Sequence, residues 1–119
     1  MPEITEFDIQ RALCIWLDTP GVLRPSIVYW HTPNGGSRRD AFEGKRLKQI
    51  GLKAGIPDLL FLADGRLYGL EMKKPGGTLS DAQKEMHPRL LEAGMAACAT
   101  VDNLTDARGV LRSWKLVNC

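Results

Sequence analysis

The chain has 119 residues, of which 44% are hydrophobic and 25% are charged. This composition is that of a globular domain and excludes collagen-like, low-complexity and disordered proteins. Three cysteines, Cys14, Cys98 and Cys119, are too few and too scattered for a disulfide framework or a structural zinc site. The acidic N-terminal segment is unlike a signal peptide, and no apolar run is long enough to span a bilayer. We therefore expect a cytoplasmic protein with no membrane contact.

The charges are unevenly distributed along the chain. The net charge is +2, but residues 38–53 contain six bases and two acids, a net of +4, which leaves the rest of the chain at −2. A basic segment on a near-neutral chain fits contact with a phosphate backbone. The alternative is that this segment is an ordinary solvated loop or helix face.

The first half of the chain predicts one helix and one strand. Residues 5–17 have apolar residues at helical spacing and open with Thr5 and Asp8, an acidic form of the capping box. Residues 26–31 are β-branched and aromatic, which predicts a strand. Residues 34–53 are glycine-rich at first and then sparsely apolar, so we expect a loop followed by no more than short helical turns.

The second half begins with the clearest pattern in the sequence. Two strand-like runs, 58–62 and 67–73, flank an Asp-Gly pair that favours a two-residue hairpin turn. A capping box from Ser80 to Gln83 then opens a helix in which Pro88 predicts a kink or a break. A buried strand and a closing helix follow. The predicted order is α-β-β-β-α-β-α, a single α/β domain with a mixed sheet flanked by helices.

The hairpin register predicts a site. If Asp64 and Gly65 are the turn, opposing positions sum to 129, and Asp58 faces Glu71 with Lys73 on the same face. Two opposed carboxylates repel unless a cation bridges them, and Mg²⁺ suits oxygen ligands of this kind. A nearby lysine would stabilise charge on a phosphate or orient water. The alternative is that an acid at a strand start and a Glu-x-Lys sequence are solvated surface residues.

These residues resemble a known family. Gly55-Ile56-Pro57-Asp58, a hydrophobic strand and Glu71-Met72-Lys73 look like the PD-(D/E)XK nuclease signature. The wider pattern resembles the virus-type replication–repair nuclease (VRR-NUC) domain over nearly all of residues 1–119. Its further elements are Asn34-Gly35-Gly36 with Arg38, Leu47-Lys48 before Gly51, and Ser80-x-x-Gln83 followed by Leu90 and Gly94.

The resemblance implies a restriction-endonuclease-like core and a structure-selective DNA endonuclease that depends on Mg²⁺ or Mn²⁺. Asp58 and Glu71 would ligate the metal, and Lys73 would assist the attacking water. Gln83 matches a family glutamine near the site, although a capping role alone would also explain it. Glu6 matches an acid that some relatives bring to the metal, although an acid in a first helical turn needs no further reason.

The expected partner is DNA. The predicted phosphate contacts come from the basic segment and the loop before it: Asn34, Arg38, Arg39, Lys45, Arg46 and Lys48. Small members of the family look like phage enzymes that act as homodimers on four-way (Holliday) junctions. The resemblance therefore implies a homodimer, with no small-molecule cofactor. If the chain is phage-encoded, its location is the bacterial host cell.

Two other functions remain open from the sequence. The chain could be a non-catalytic DNA-binding module on a nuclease scaffold, or the cleavage subunit of a larger restriction or repair assembly. A module of the first kind usually lacks a metal ligand, whereas Asp58, Glu71 and Lys73 are all present. His31 and His87 fall in no motif, and we expect them to be surface or core-packing residues.

Overall fold

The computed structural model describes residues 3–33 and 41–119, with residues 41 and 42 described in the backbone only. It confirms a single α/β domain with a mixed sheet flanked by helices. No helix within these ranges is long and apolar enough to cross a membrane. The elements are α1 (Glu6–Leu17), β1 (Val28–His31), α2 (Ala41–Gln49), β2 (Leu59–Ala63), β3 (Arg66–Met72), α3 (Asp81–Glu92), β4 (Ala97–Val101) and α4 (Leu104–Ser113).

The sheet has the strand order β1-β2-β3-β4. The first two pairings are antiparallel and the β3–β4 pairing is parallel. The predicted hairpin register is confirmed, since Leu62 pairs with Leu67 and Leu60 pairs with Gly69. Asp64 (φ 52°) and Gly65 (φ 76°) both lie in the left-handed region, as a two-residue hairpin turn of this kind requires.

The two faces of the sheet are covered differently. Helices α1 and α4 pack on one face around the main hydrophobic core. Helix α3 lies against the other face at the β3–β4 side, where it contacts the loop that precedes β2. The fully buried side chains of the core include Leu13, Leu59, Phe61, Leu70, Met72 and Leu111. The site described below lies on the α3 side of the sheet.

Helix α2 is an addition to the predicted order, which becomes α-β-α-β-β-α-β-α. The sequence predicts only helical turns there because Gly44 lowers helix propensity and no apolar stripe marks the segment. Glu43, Lys45 and Lys48 are indeed exposed. Most of the described side chains of α2, from Glu43 to Gln49, are exposed, and such a helix leaves little periodicity in the sequence.

Helix α3 runs without interruption through Pro88, so of the two predicted outcomes, a kink or a break, the break is wrong. Its first turn is held by the predicted capping box, in which Ser80 Oγ accepts from the Gln83 backbone (3.2 Å) and Gln83 Oε1 accepts from the Ser80 backbone (2.8 Å). Gln83 and His87 lie one helical turn apart on α3, and both are buried, which anchors the helix against the rest of the fold. Packing and capping therefore offset an interior proline that costs about 3 kcal/mol.

Candidate active site

Asp58 and Glu71 meet at the open end of the β2–β3 hairpin. Asp58 comes directly before β2, and extension of the observed register places it opposite Glu71 in β3. Asp58 Oδ2 accepts a hydrogen bond from the Met72 backbone N–H (2.8 Å), which fixes the carboxylate beside β3. Glu71 is only 1% exposed. The two carboxyl groups that the sequence pairs are therefore neighbours in the folded chain.

The environment of Glu71 strongly favours its protonated form. The pKa of Glu71 is raised from an ordinary 4.5 to about 9, first because the carboxyl group is buried, and also because of a side-chain hydrogen bond to Asp58 and the negative charge of Asp58. The positive charge of Lys73 acts in the opposite direction but does not outweigh them. In the absence of a cation, a proton on Glu71 relieves the repulsion between the two carboxyl groups.

One oxygen of this pair lacks a hydrogen-bond partner. Glu71 Oε1 is buried and accepts no hydrogen bond from the described residues, although His87 Nε2 lies 3.3 Å away. A buried, unsatisfied carboxylate oxygen beside a second carboxylate fits a divalent cation. No group of three His, Cys, Asp or Glu side chains forms a complete cage in the described ranges. The pair suits Mg²⁺, which is commonly held by one or two carboxylates, water and substrate phosphate.

His87 is a site residue that the sequence reasoning missed. Its imidazole is buried beside Glu71, and burial lowers the pKa of His87. The charge of Lys73 lowers it further, while a hydrogen bond with the Gly55 backbone and the charge of Asp58 act against the shift. His87 follows Gln83 by four residues, so the two lie on one face of α3. This spacing from Gln83 is the sequence feature that could have identified His87 as a site residue.

Lys73 lies with the acidic pair, as the sequence predicts. Its backbone N–H donates to the Val101 carbonyl (2.8 Å), which continues the pairing of β3 with β4 beyond Met72. The side chain is largely buried, and its charge acts on both Glu71 and His87. A buried ammonium beside two acids supplies the positive charge that a phosphate substrate requires.

Gln83 and Glu6 are the two remaining predicted site residues, and they lie on α3 and α1. Gln83 is buried on α3, where Oε1 completes the capping box and Nε2 takes no part in it. Glu6 is exposed in the first turn of α1, and its negative charge contributes weakly to the raised pKa of Glu71. The roles of both residues stay predictions.

The Gly-Ile-Pro-Asp segment has a steric explanation. Gly55 has φ +86°, and a Cβ there would lie 2.4 Å from the Ala82 carbonyl oxygen of α3. A Cβ on Gly69 would lie 2.8 Å from Pro57 Cγ. Glycine at both positions lets the loop pass between α3 and the sheet, which delivers Asp58 to its place opposite Glu71.

The backbone of Asp58 is held from the side of β1. Its carbonyl oxygen accepts from the Thr32 backbone N–H (3.1 Å) and lies 2.8 Å from His31 Nδ1. His31 is exposed, which is the first of the two expected positions, surface or core, and its Nδ1 also lies 3.0 Å from Gln10 Nε2. Neighbouring elements on both sides thus determine where the Asp58 carboxylate lies.

The predicted DNA contacts fall in two groups. Lys45, Arg46 and Lys48 lie on α2 with exposed side chains. Asn34, Arg38 and Arg39 lie outside the described residues. The basic segment thus includes a surface helix that presents cations to solvent, which is compatible with phosphate contact.

One of three comparisons with known proteins finds a similar fold. No protein-family model matches the sequence, and no curated protein matches it. A solved structure described as a VRR_NUC domain protein matches with a TM-score of 0.73 and 25% identity, over 97% of this chain and 92% of that chain. The chain has the VRR-NUC fold. The resemblance predicted from the sequence is therefore confirmed, and the VRR-NUC fold relates the chain to the PD-(D/E)XK nucleases.

Proposed function

We propose that this VRR-NUC chain is an endodeoxyribonuclease that hydrolyses phosphodiester bonds with the help of Mg²⁺ or Mn²⁺. The observation that carries the proposal is the buried Glu71 Oε1, which lacks a hydrogen-bond partner in the described chain and stands beside Asp58. A fold shared with a VRR_NUC domain protein supports the same conclusion.

Each residue of the site has a separate task in this proposal. Asp58 and Glu71 hold the metal together with water and substrate phosphate, and Glu6 of α1, which forms no three-residue metal group with them in the described chain, adds negative charge to the site. When bound, the metal polarises the phosphate and lowers the pKa of bound water. Lys73 offsets the negative charge that develops on the scissile phosphate or orients the attacking water. Gln83, through its Nε2 amide, orients water or a phosphate oxygen.

We further propose branched DNA as the substrate and a homodimer as the active unit. A four-way junction has two equivalent strands to cut, and a two-fold enzyme presents two metal sites to it. Three side chains on one face of β1 and β2, Val28, Trp30 and Leu62, are apolar and at least 40% exposed. We assign them to the interface.

A cleavage assay tests the catalytic proposal. Labelled four-way junction, flap and linear duplex are incubated with the protein in Mg²⁺, Mn²⁺ or EDTA. We expect cleavage that requires metal and is fastest on branched DNA. Asp58→Asn should lose cleavage while it retains DNA binding, because it removes a metal ligand and a negative charge near the phosphate. Glu92→Gln, at an exposed acid of α3, is the matched control and should cleave normally.

The same assay separates the other functions. Full activity of Asp58→Asn, or cleavage in EDTA, would contradict the proposed site. DNA binding by the wild-type chain without cleavage in either metal would indicate a non-catalytic module. Cleavage that appears only after other proteins are added would indicate a subunit of a larger assembly. The cytoplasmic location and the phage origin stay predictions.

A further inference from the structure

A second cavity lies at the turn end of the β2–β3 hairpin, away from the paired carboxyl groups. Its volume is about 620 Å³, within the range of small-molecule sites. Three segments form its walls: the loop that leads into β1, the hairpin turn, and the chain that follows α4. Five residue steps of about 3.3 Å separate Ala63 at the cavity from Asp58, so the two sites are roughly 17 Å apart along β2.

The cavity is lined by more positive than negative charge. Its cations are Arg24, Arg66 and Lys115, and its one acid is Asp64. Arg24 Nη1 donates to the Lys115 carbonyl oxygen (2.9 Å), which directs the guanidinium along the cavity wall. Within the described ranges, the side chains of Arg66 and Lys115 have no ion-pair or hydrogen-bond partner. Two cations are therefore available to an anionic ligand.

An aromatic pair forms another part of the wall. The rings of Tyr68 and Trp114 have centroids 5.3 Å apart and are inclined at 34°. Both residues are half-buried and line the cavity. Aromatic side chains next to cations are the combination that nucleotide-binding proteins use, because the rings contact a base while the cations contact its phosphate.

The backbone around the cavity is unusual as well. Three non-glycine residues of the described chain have positive φ: Ser26 (69°), Asp64 (52°) and Lys115 (60°). All three line this cavity, although they come from three separate turns. The Arg24 backbone N–H donates to the Leu116 carbonyl (3.0 Å), which ties two of these turns together. Asp64 belongs to the hairpin turn and Lys115 follows the C-cap of α4, so tight turns form the cavity wall on three sides.

We propose that this cavity binds a nucleotide. The phosphate lies between Arg66 and Lys115, and the base lies against Tyr68 and Trp114. The nucleotide comes either from an unpaired strand of the DNA substrate or from free nucleoside monophosphate. Binding here needs no metal at Asp58 and Glu71, so the proposal is independent of cleavage.

The test measures binding in EDTA. Fluorescence anisotropy is recorded with a labelled single-stranded oligonucleotide, and ¹H–¹⁵N spectra, including the Trp114 indole signal, are recorded with deoxyadenosine 5′-monophosphate. The variant is Arg66→Gln with Lys115→Asn, since asparagine tolerates the left-handed backbone at position 115. The control is Arg11→Ala with Arg112→Ala, which removes two exposed cations outside the cavity.

We expect at least one of the two probes to bind at the cavity. Binding is seen either as a shift of the Trp114 indole signal or as an affinity that falls at least about tenfold in the cavity variant and stays unchanged in the control. Loss confined to the oligonucleotide identifies a DNA strand as the ligand, and loss confined to the monophosphate identifies a free nucleotide. Two results would overturn the proposal: no binding of either probe at this cavity, or an equal loss of affinity in both variants.

Discussion

Glu71 is deeply buried, lies beside the carboxyl group of Asp58 and has one carboxyl oxygen without a hydrogen-bond partner in the described chain. Its position opposite Asp58 could be predicted because the Asp-Gly turn determines the hairpin register, and the register determines every opposed pair. The raised pKa of Glu71 and the approach of His87 could not be predicted in this way. Both depend on how α3 packs against the sheet, which the spacing of residues along the chain does not specify.

The pKa of Glu71 predicts a pH dependence of stability for the metal-free protein. Unfolded Glu71 loses its proton near pH 4.5, whereas folded Glu71 keeps it until about pH 9. The folded state therefore binds more protons between these values, and the free energy of unfolding falls as pH rises. In EDTA we expect the Tm of the wild type to fall between pH 6 and 9 by at least about 4 °C more than that of Glu71→Gln.

The control for this experiment is Glu92→Gln, which changes an exposed acid on α3. It should follow the wild-type dependence because it leaves the Asp58–Glu71 pair intact. Melting is followed by circular dichroism across the pH range. A wild type and a Glu71→Gln variant with parallel pH curves would show that Glu71 is ionised in the folded protein.

At the scale of elements, the sequence predicts those that bury an apolar face or carry a cap. Helices α1, α3 and α4 all begin at a capping residue, namely Thr5, Ser80 and Asn103. The sequence predicts helix α2 only weakly because Gly44 lowers its helix propensity, and the stability of α3 around Pro88 comes from tertiary packing. The elements that carry the acidic pair are therefore better predicted than the basic helix.

Gly55 tests how the loop before β2 positions the site. Gly55→Ala adds a Cβ that meets Ala82 O and also places a side chain at positive φ. We expect a loss of about 2–4 kcal/mol in the free energy of unfolding, from the left-handed backbone and from overpacking. Gly21→Ala is the control, since Gly21 has φ +88° but an added Cβ there meets nothing within 4 Å. Equal losses in urea titrations of the two variants would contradict the close approach of the loop to α3.

Helix α2 predicts a salt-dependent contribution to DNA binding. Lys45→Ala with Lys48→Ala removes two exposed cations and should lower the affinity for duplex DNA. The slope of log affinity against log salt should decrease by about 1.8, because each lost phosphate contact contributes about 0.9. The measurement is anisotropy in EDTA at several salt concentrations. An unchanged slope would identify α2 as an ordinary solvated helix.

At the scale of the whole molecule, the sheet ends in β1, which pairs with β2 on one side. Its outward face carries Val28 and Trp30, and Leu62 continues the apolar surface on β2. An exposed apolar surface at a sheet edge favours association with another chain. The sequence could not locate this surface. Whether an apolar side chain of the sheet is covered by a helix or left exposed depends on where the helices lie, which the spacing of residues does not show.

The proposed homodimer predicts a mass of two 13.2 kDa chains in sedimentation equilibrium at micromolar concentrations. Trp30→Glu should be monomeric because it places a charge in the apolar surface, whereas Ile15→Glu, at an exposed apolar residue of α1, should stay dimeric. A 13.2 kDa wild type at every concentration, with undiminished junction cleavage, would rule out the dimer. A dimeric Trp30→Glu protein would contradict the assigned interface.

The central claim is that Asp58 and Glu71 together hold a divalent cation, and Mn²⁺ binding tests it most directly. Electron paramagnetic resonance measures the free Mn²⁺ that remains as protein is added, without any need for cleavage. We predict that the wild type and Glu92→Gln bind Mn²⁺ equally, and that Asp58→Asn and Glu71→Gln each weaken binding by at least about tenfold. Equal Mn²⁺ binding by all four proteins would contradict the claim.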